Sequence, residues 1–303
     1  MAGHLAARGV SYGWLDPADF PRRLGLVAGF DRSWAVELTT AEGRIDLAGV
    51  ASVFYRRPGD FDMPAGMSGP ELRFARAQAR VGLGGVLAAL PARWVNHPSS
   101  LADAEYKPRQ LALAAAAGLG TPRTLVTNDP AAVRAFAGQV GAVVVKPLAQ
   151  PIVHEAGTYT PVWTRLLSRP DLDHLAGVEV TAHLFQEWID KQYEVRLTAV
   201  GDRLFPVAIR AGSDAAKVDW RSDYDALTYE VVDCPEEIAS AVRRYLAASG
   251  LRYAAFDFVV DPDGEWIFLE CNGAGQWGWL AEECRLPIAE AIADELIGAA
   301  GDR

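Results

Sequence analysis

Two strand-like runs near the C-terminus, joined by a strong turn, constrain the fold of this chain more than any other feature. YAAFDFVV at 253–260 and EWIFLECN at 265–272 are rich in aromatic and aliphatic residues, and Asp-Pro-Asp-Gly at 261–264 lies between them. β-branched and aromatic residues favour strands, whereas Asp, Pro and Gly favour tight turns. The sequence therefore predicts a β-hairpin at this position.

Three polar residues of this hairpin are spaced as ligands of a hard cation. Side chains alternate across a strand, so Glu270 and Asn272 share one face, and an even-numbered loop would set Asp257 diagonal to Glu270. A three-residue bulged loop would break that parity. Carboxylate and amide oxygens without nearby Cys or His favour Mg²⁺, or Mn²⁺, over zinc, and Mg²⁺ leaves coordination positions for substrate phosphates. The hairpin thus predicts a metal and nucleotide site, although Glu270 and Asn272 could equally flank a solvent-facing strand end.

Charge and hydropathy exclude several classes of protein. Asp and Glu outnumber Lys and Arg by 39 to 29, and the formal net charge of -10 disfavours nucleic acid or an anionic membrane as a partner. The most hydrophobic stretch, LALAAAAGLG at 111–120, is shorter than the ~20 residues that a membrane span needs. The three cysteines lack CxxC spacing and provide neither a disulfide framework nor a zinc site. We expect a soluble globular protein of the cytoplasm.

Local patterns predict alternating helices and strands, as in an α/β protein. Apolar residues at helical spacing, with Pro or Gly at the boundaries, predict helices at 70–90, 106–117, 130–137 and 235–249. Runs of aromatic and β-branched residues predict further strands at 10–15, 33–40, 50–56, 124–127, 142–148, 180–189, 193–200 and 203–210. Gly201 and Asp202 supply a hairpin turn between the last two strands.

Further charged and polar residues precede the hairpin in a fixed order. They are Lys107, Lys146, the run Gln186-Glu187-Trp188-Ile189 and the run Glu194-Val195-Arg196. Lys146 ends the apolar run AVVVK, where a buried strand would deliver an ammonium group to a cleft. A solvated lysine at a strand end is the commoner explanation for such a residue alone. The order and the residue types together are therefore more informative than any single position.

This succession, over roughly residues 95–298, resembles an ATP-grasp ligase, in which two lobes hold ATP between antiparallel sheets. The resemblance implies contacts to the ATP phosphates from Lys107 and Lys146, to adenine from Glu187, Trp188 and Ile189, and to ribose from Glu194. It also implies magnesium ligation by Asp257, Glu270 and Asn272, and contacts from Arg196 and Arg210 to phosphate or the acyl intermediate.

Several local strings resemble those of the graspetide synthetases, which macrocyclise microviridin-like peptides. They are YRRP at 55–58, KPRQLALAAAAGL at 107–119, TPRTLVTNDP at 121–130, DWR at 219–221 and NGAGQWGW at 272–279. In that family an Asp or Glu side chain of a ribosomal precursor peptide is activated as an acyl phosphate. A Thr, Ser or Lys side chain of the same peptide then captures it as an ester or amide. The resemblance implies ATP and Mg²⁺ as cofactors and a precursor peptide, leader plus core, as the partner.

Arg56, Arg57 and Arg221 are candidates for gripping the substrate carboxylate, because a guanidinium binds a carboxylate in a bidentate manner. Surface ion pairing is an equally frequent role for such arginines. Two alternatives stay open: an ATP-grasp ligase that adds a free amino acid, and a non-enzymatic protein that retains the fold to bind ATP or peptide. A homodimer is also left open.

The expected architecture is α/β, with α+β lobes. We predict an N-terminal lobe at 1–95, a central ATP-grasp lobe at 96–177 and a C-terminal ATP-grasp lobe with the metal-binding hairpin at 178–303. Relative to the family that it resembles, the chain opens inside a helix at His4-Leu5, so the N-terminal lobe is expected to be shortened by one βα unit. A phosphate-covering loop is expected at 150–159, which contains one glycine.

Overall fold

The N-terminal part of the chain combines a three-stranded antiparallel sheet with one long helix. The computed structural model describes residues 1–56, 58–149, 152–155 and 158–301. The first elements are α1 (Ala2–Ala7), β1 (Gly25–Asp31), β2 (Ser33–Thr40), β3 (Gly43–Asp46), β4 (Ser52–Phe54), α2 (Gly69–Ala88) and β5 (Arg93–Val95). Strands β1, β2 and β3 form the sheet in that order, and β4 pairs in parallel with β5. Helix α2 begins with a capping box between Ser68 and Glu71.

A second sheet occupies the middle of the chain. Its elements and their neighbours are α3 (Pro98–Ala104), α4 (Lys107–Ala117), β6 (Thr124–Thr127), α5 (Pro130–Val140), β7 (Val143–Lys146), β8 (Ile152–Glu155), β9 (Thr158–Pro161), β10 (Arg165–Leu166), α6 (Arg169–Asp173) and β11 (His183–Glu187). Four strands form an antiparallel sheet in the order β10-β7-β11-β6, and β8 and β9 form a separate hairpin. Helix α5 packs Val133 and Phe136 against Phe185 of β11. One face of this sheet is thereby buried.

The third sheet follows directly. Its region contains β12 (Tyr193–Val200), β13 (Arg203–Ala211), α7 (Asp214–Val218), β14 (Leu227–Val231), α8 (Glu236–Ser249), β15 (Tyr253–Val260), β16 (Trp266–Asn272), α9 (Gly278–Glu283) and α10 (Ile288–Gly301). Five antiparallel strands have the order β14-β13-β12-β15-β16, so β16 is an edge strand. None of the helices in the described ranges combines the length and apolar character that crossing a bilayer requires.

Helix α8 covers one face of the five-stranded sheet. Ile238, Val242 and Tyr245 recur at helical spacing and join the main core with Phe256 and Phe268 of the sheet. The helix follows Pro235 and ends at Gly250 in the left-handed conformation, as the sequence predicts. Ala114 and Ala117 of α4 belong to the same core. Because α4 and α8 bury this face, the opposite face of β12 and β15 is the one that carries Glu194, Arg196 and Asp257.

The register of the β15–β16 hairpin differs from the predicted register at Asp257. Val260 pairs with Trp266, which leaves a five-residue loop at 261–265. With a loop of this odd length, regular pairing along both strands would place Asp257 opposite Leu269. A β-bulge next to Phe258 adds one residue on β16, however, and Asp257 pairs directly with Glu270. The two carboxylates are therefore cross-strand partners rather than diagonal neighbours.

Most predicted elements are confirmed, one predicted strand is wrong, and several elements, among them β1, β5, β14 and α10, were not predicted. The four predicted helices correspond to α2, α4, α5 and α8. The strand predicted at 10–15 is wrong, because the segment pairs with no other strand among the described residues and leaves Trp14 81% exposed. Strand β1 was not predicted, since Gly25, Gly29 and Asp31 weaken its strand propensity.

The predicted lobe boundaries stay a prediction. One observation bears on the boundary at 177: β11, which follows it, pairs with β6 and β7, which precede it. The central sheet thus includes a strand from beyond residue 177.

Candidate active site

Two carboxylates and one amide converge on the face of the β15–β16 hairpin that lies opposite α4 and α8. Asp257 and Glu270 are cross-strand partners, and Asn272 lies two residues after Glu270. The Asn272 Nδ2 donates to Glu270 Oε1 at 3.3 Å and approaches Asp257 Oδ2 at 3.5 Å. The structure thus brings together the three predicted metal ligands.

Cations neutralise both carboxylates. Arg196 is the cross-strand neighbour of Asp257, and its Nη1 lies 2.7 Å from Oδ1 and 2.7 Å from Oδ2. Lys107, at the start of α4, places Nζ 3.1 Å from Glu270 Oε2. Burial raises the pKa of Asp257 to about 6 despite Arg196. Burial opposes ionisation of Glu270 as well, but Lys107 and Arg221 outweigh it and hold the pKa of Glu270 below its usual range.

Lys146, at the end of β7 in the central sheet, lies close enough to the cluster for its charge to interact with Glu270. In the pairing of β7 with β11, Lys146 stands opposite Leu184 and Val144 stands opposite Gln186, so these residues share the face that α5 leaves open. Burial lowers the pKa of Lys146 to about 8, and the charge of Glu270 partly opposes that shift. The central and C-terminal sheets therefore line a common cleft.

This cleft contains buried polar atoms that have no hydrogen-bond partner among the described residues. They are Gln186 Oε1 on the central sheet and Arg196 Nε on the C-terminal sheet. Buried polar groups are usually hydrogen-bonded, and a polar ligand in the cleft would offer partners to both atoms.

The end of β11 and the connection that follows it carry the residues predicted to hold adenine. Glu187 Oε1 accepts a hydrogen bond from the Arg123 backbone N–H at 2.7 Å, and the Trp188 N–H donates to the Ala142 carbonyl at 2.9 Å. These bonds fix the end of β11 against the strands beside it. Ile189 follows in the same connection and is partly buried.

Glu194 lies at the start of β12 on the cleft face. It is 8% exposed and accepts a hydrogen bond from Lys191 Nζ at 2.7 Å. Burial raises the pKa of Glu194, and Lys191 partly opposes the shift. Lys191 also lies over the Trp188 ring, 5.1 Å from its centroid. Lys191 was not predicted as a site residue, because a lysine beside a turn is most often solvated.

The predicted arginines separate into two groups. Arg221 forms a bidentate pair with buried Asp219, with Nε–Oδ1 and Nη2–Oδ2 distances of 2.9 and 2.8 Å, and its charge acts on both Asp257 and Glu270. Arg210 is not brought to this cluster. It pairs with Glu230 at 3.1 Å and lies over the Tyr193 ring at 4.4 Å, on the sheet face opposite Asp257. A catalytic role for Arg210 stays a prediction.

The N-terminal part of the chain contributes one predicted residue to the surroundings of the site. The Arg56 guanidinium lies 5.5 Å from the centroid of the Trp277 ring, in the segment that follows Asn272. The prediction for Arg57 falls outside the described residues.

The donor set fits magnesium. Asp257, Glu270 and Asn272 offer hard oxygen atoms, and rotation of the Asn272 amide would exchange its nitrogen for its oxygen between the two carboxylates. No group of three or more His, Cys, Asp and Glu residues in the described part of the chain forms a metal cluster. The candidate site instead combines two carboxylates and an amide, with Lys107 and Lys146 nearby as phosphate-binding candidates.

Comparison with solved structures gives nearly full-length matches. A RiPP-associated ATP-grasp ligase of Chryseobacterium gregarium, in complex with ADP and a leader and core peptide, has a TM-score of 0.90 and 27% identity over 98% of this chain and 91% of that one. Macrocyclase MdnC of Microcystis aeruginosa, bound to precursor peptide MdnA, has a TM-score of 0.87 and 30% identity over 98% and 94%. PsnB with a minimal precursor, Mg and ADP has a TM-score of 0.77 and 25% identity over 98% and 92%. No family profile and no curated protein sequence matches the chain.

Fold and site together define an ATP-dependent ligase of the ATP-grasp class. Within that class the chain belongs to the graspetide synthetases, the ATP-grasp ligases that act on ribosomally synthesised peptides. The predicted fold class and family are thereby confirmed. None of the matches supports a homodimer.

Proposed function

We propose that this enzyme is a peptide macrocyclase that joins an Asp or Glu side chain of a ribosomal precursor to a Thr, Ser or Lys side chain of the same peptide. The observation that carries the proposal is the cluster of Asp257, Glu270 and Asn272, enclosed by Lys107 and Arg196, in a chain that matches a precursor-bound macrocyclase over 98% of its length. Cytoplasmic location and a leader-plus-core substrate belong to the same proposal.

The nucleotide would lie in the cleft between the central and C-terminal sheets. Lys107 and Lys146 provide positive charge for its phosphates, and the β11–β12 connection, with Glu187, Trp188 and Ile189, borders the adenine end. Buried Glu194 is a hydrogen-bond acceptor for ribose hydroxyls. Mg²⁺, held by Asp257, Glu270 and Asn272, would neutralise phosphate charge when bound.

The peptide would approach from the other side of the carboxylates. An open groove of about 740 Å³ is lined by Tyr224, Leu227, Thr228, Tyr229, Gln276, Trp279 and Glu283. It adjoins the cleft because Gln276 follows Gly275, where an added Cβ would lie 3.1 Å from Arg196 Nη2. Arg221 lies near Tyr224 at this junction and can pair with a substrate carboxylate.

The proposed reaction consists of two nucleophilic substitutions, first at phosphorus and then at carbon. A peptide carboxylate oxygen attacks the γ-phosphorus of ATP and ADP leaves, which gives an acyl phosphate. A peptide hydroxyl or amine then attacks the acyl carbon, loses its proton, and inorganic phosphate leaves. Arg196 and Arg221 are placed to stabilise the negative charge of both steps, because phosphoryl transfer depends mainly on positioned charge.

Intact-mass spectrometry of the cognate precursor tests the proposal. With ATP and Mg²⁺, each ring should lower the peptide mass by about 18 Da and consume one ATP. Addition of free glutamate would instead raise the mass by about 129 Da and would identify an amino-acid ligase. An unchanged mass with no ATP turnover would identify a binding protein. Either result would refute macrocyclisation.

A further inference from the structure

A buried glutamine joins α4 to the strand that carries Glu270 and Asn272. Gln110 lies one helical turn after Lys107 and is 5% exposed. Its Oε1 accepts from the Cys271 N–H at 2.9 Å, and its Nε2 donates to the Cys271 carbonyl at 3.1 Å and to the Ala104 carbonyl at 2.6 Å. The side chain thus satisfies both backbone polar groups of Cys271, as a neighbouring strand would do, at the edge of the sheet.

A second buried amide acts on the other side of Asn272. Asn96 is 2% exposed, and its Oδ1 accepts from the backbone N–H groups of Arg252 and Tyr253 at 2.7 and 3.1 Å. Its Nδ2 donates to the carbonyls of Tyr253 and Gly273, both at 2.7 Å. Both donors and both acceptor positions of this amide are therefore used.

These hydrogen bonds all end on the protein backbone. The bonds fix the backbone of Cys271, which lies between Glu270 and Asn272, and the backbone of Gly273, which directly follows Asn272. Side chains of a strand point according to the orientation of its peptide groups, so a rotation at Cys271 would redirect Glu270 and Asn272. Gln110 also holds α4 in the position from which Lys107 meets Glu270.

We infer that Gln110 and Asn96 are positioning residues of the magnesium site, which fix Glu270 and Asn272 beside Asp257 before the cation binds. The inference rests on the proposed function, since it takes these three residues as the metal ligands. Residues that orient metal ligands without touching the metal change metal affinity about 10- to 100-fold when they are replaced.

The test compares two variants that each loosen one end of α4. Gln110→Met keeps the side-chain length but leaves both backbone groups of Cys271 without this partner. Arg244→Met is the matched control: Arg244 Nε and Nη2 both donate to the Ala117 carbonyl, at 3.0 and 2.8 Å, at the far end of the same helix. Calorimetry measures ADP affinity with Mg²⁺ and with excess chelator, and the ratio reports the contribution of the metal. Thermal unfolding measures the loss of helix anchoring.

Gln110→Met should reduce the ratio of ADP affinities by about 10-fold or more, and a change in the Lys107 contact to the nucleotide would alter both affinities and largely cancel in the ratio. Arg244→Met should lower the unfolding midpoint and keep the ratio. If Gln110→Met does not fold, Gln110→Asn, whose amide is one methylene short of Cys271, should reduce the ratio in the same way. If a folded Gln110 variant keeps the wild-type ratio of ADP affinities, the inference is overturned, whereas the proposed function is not affected. No effect of Mg²⁺ on the wild-type protein overturns the proposed magnesium site and this inference together.

Discussion

Replacement of Glu270 by Gln removes the negative charge of this residue and keeps the size of its side chain. Its carboxylate pairs with Lys107 at 3.1 Å and accepts a hydrogen bond from Asn272, and Gln has nearly the same size and shape as Glu. Glu270→Gln should therefore abolish Mg²⁺-dependent nucleotide binding and ATP turnover, with a stability loss of about 1–3 kcal/mol, because it weakens a mostly buried ion pair. Calorimetry and thermal unfolding measure the two effects.

The matched control is Glu230→Gln, which removes an exposed carboxylate paired with Arg210 at 3.1 Å. It should leave both measurements unchanged. Normal Mg²⁺ dependence in Glu270→Gln would remove Glu270 from the metal site, and global unfolding of that variant would show that the pair with Lys107 is needed for folding.

Arg210 and Arg221 can also be distinguished by substitution. Arg221 acts electrostatically on Asp257 and Glu270, whereas Arg210 contacts Tyr193 and exposed Glu230. Arg221→Ala should slow the loss of water from the precursor by about 10-fold or more, because a positioned cation stabilises the developing phosphate charge. From its location, Arg210→Ala should retain most of the rate. Intact-mass time courses at saturating ATP decide between them. A severe loss in Arg210→Ala would support the catalytic role that the family resemblance implies.

At the scale of elements, sequence patterns predict the strands and the turn of the β15–β16 hairpin but not the pairing between its strands. The two strands and the turn were predictable because their residue preferences agree over long runs. The pairing of Asp257 with Glu270 was not predictable, since it depends on a β-bulge that no residue type in the sequence indicates. Gln110 is one helical turn from Lys107, which could have indicated a shared face, but its bond to Cys271 depends on how α4 docks on β16.

The segment after β16 must approach Arg196 closely, and Gly275 permits this. A Cβ at Gly275 would lie 2.5 Å from Ala255 Cβ and 3.1 Å from Arg196 Nη2. Gly275→Ala should cost about 1–3 kcal/mol in unfolding free energy, because the added methyl group would clash with Ala255 and force the segment away from β15. Gly278→Ala is the control, because a Cβ added there would meet no atom within 4 Å beyond its own helix and chain neighbours. Chemical denaturation of both variants measures the difference, and equal stability would mean that the segment adjusts without strain.

At the scale of the whole molecule, the cleft unites residues that are far apart in sequence. Lys146 comes from the central sheet, Lys107 from the start of α4, and Glu270 from the last strand. Their order along the chain supported the family resemblance, but only the folded chain shows that Lys107 meets Glu270 and that Arg210 faces away from Asp257. Local sequence patterns do not encode such docking, because it depends on long-range packing.

A nucleotide that bridges the two sheets should therefore stabilise both of them together. Binding to the native state alone adds about 2.7 kcal/mol to the unfolding free energy at a ligand concentration about 100 times Kd. With ADP and Mg²⁺, hydrogen exchange should slow in β7, β11, β15 and β16, while β1, β2 and β3, which lie outside the cleft, should exchange at unchanged rates. Glu270→Gln should lose the part of this protection that requires Mg²⁺. Mass-spectrometric hydrogen exchange, with and without chelator, measures the pattern. Protection confined to one sheet would contradict a nucleotide held between the two, because a ligand that contacts both should restrict the opening of each.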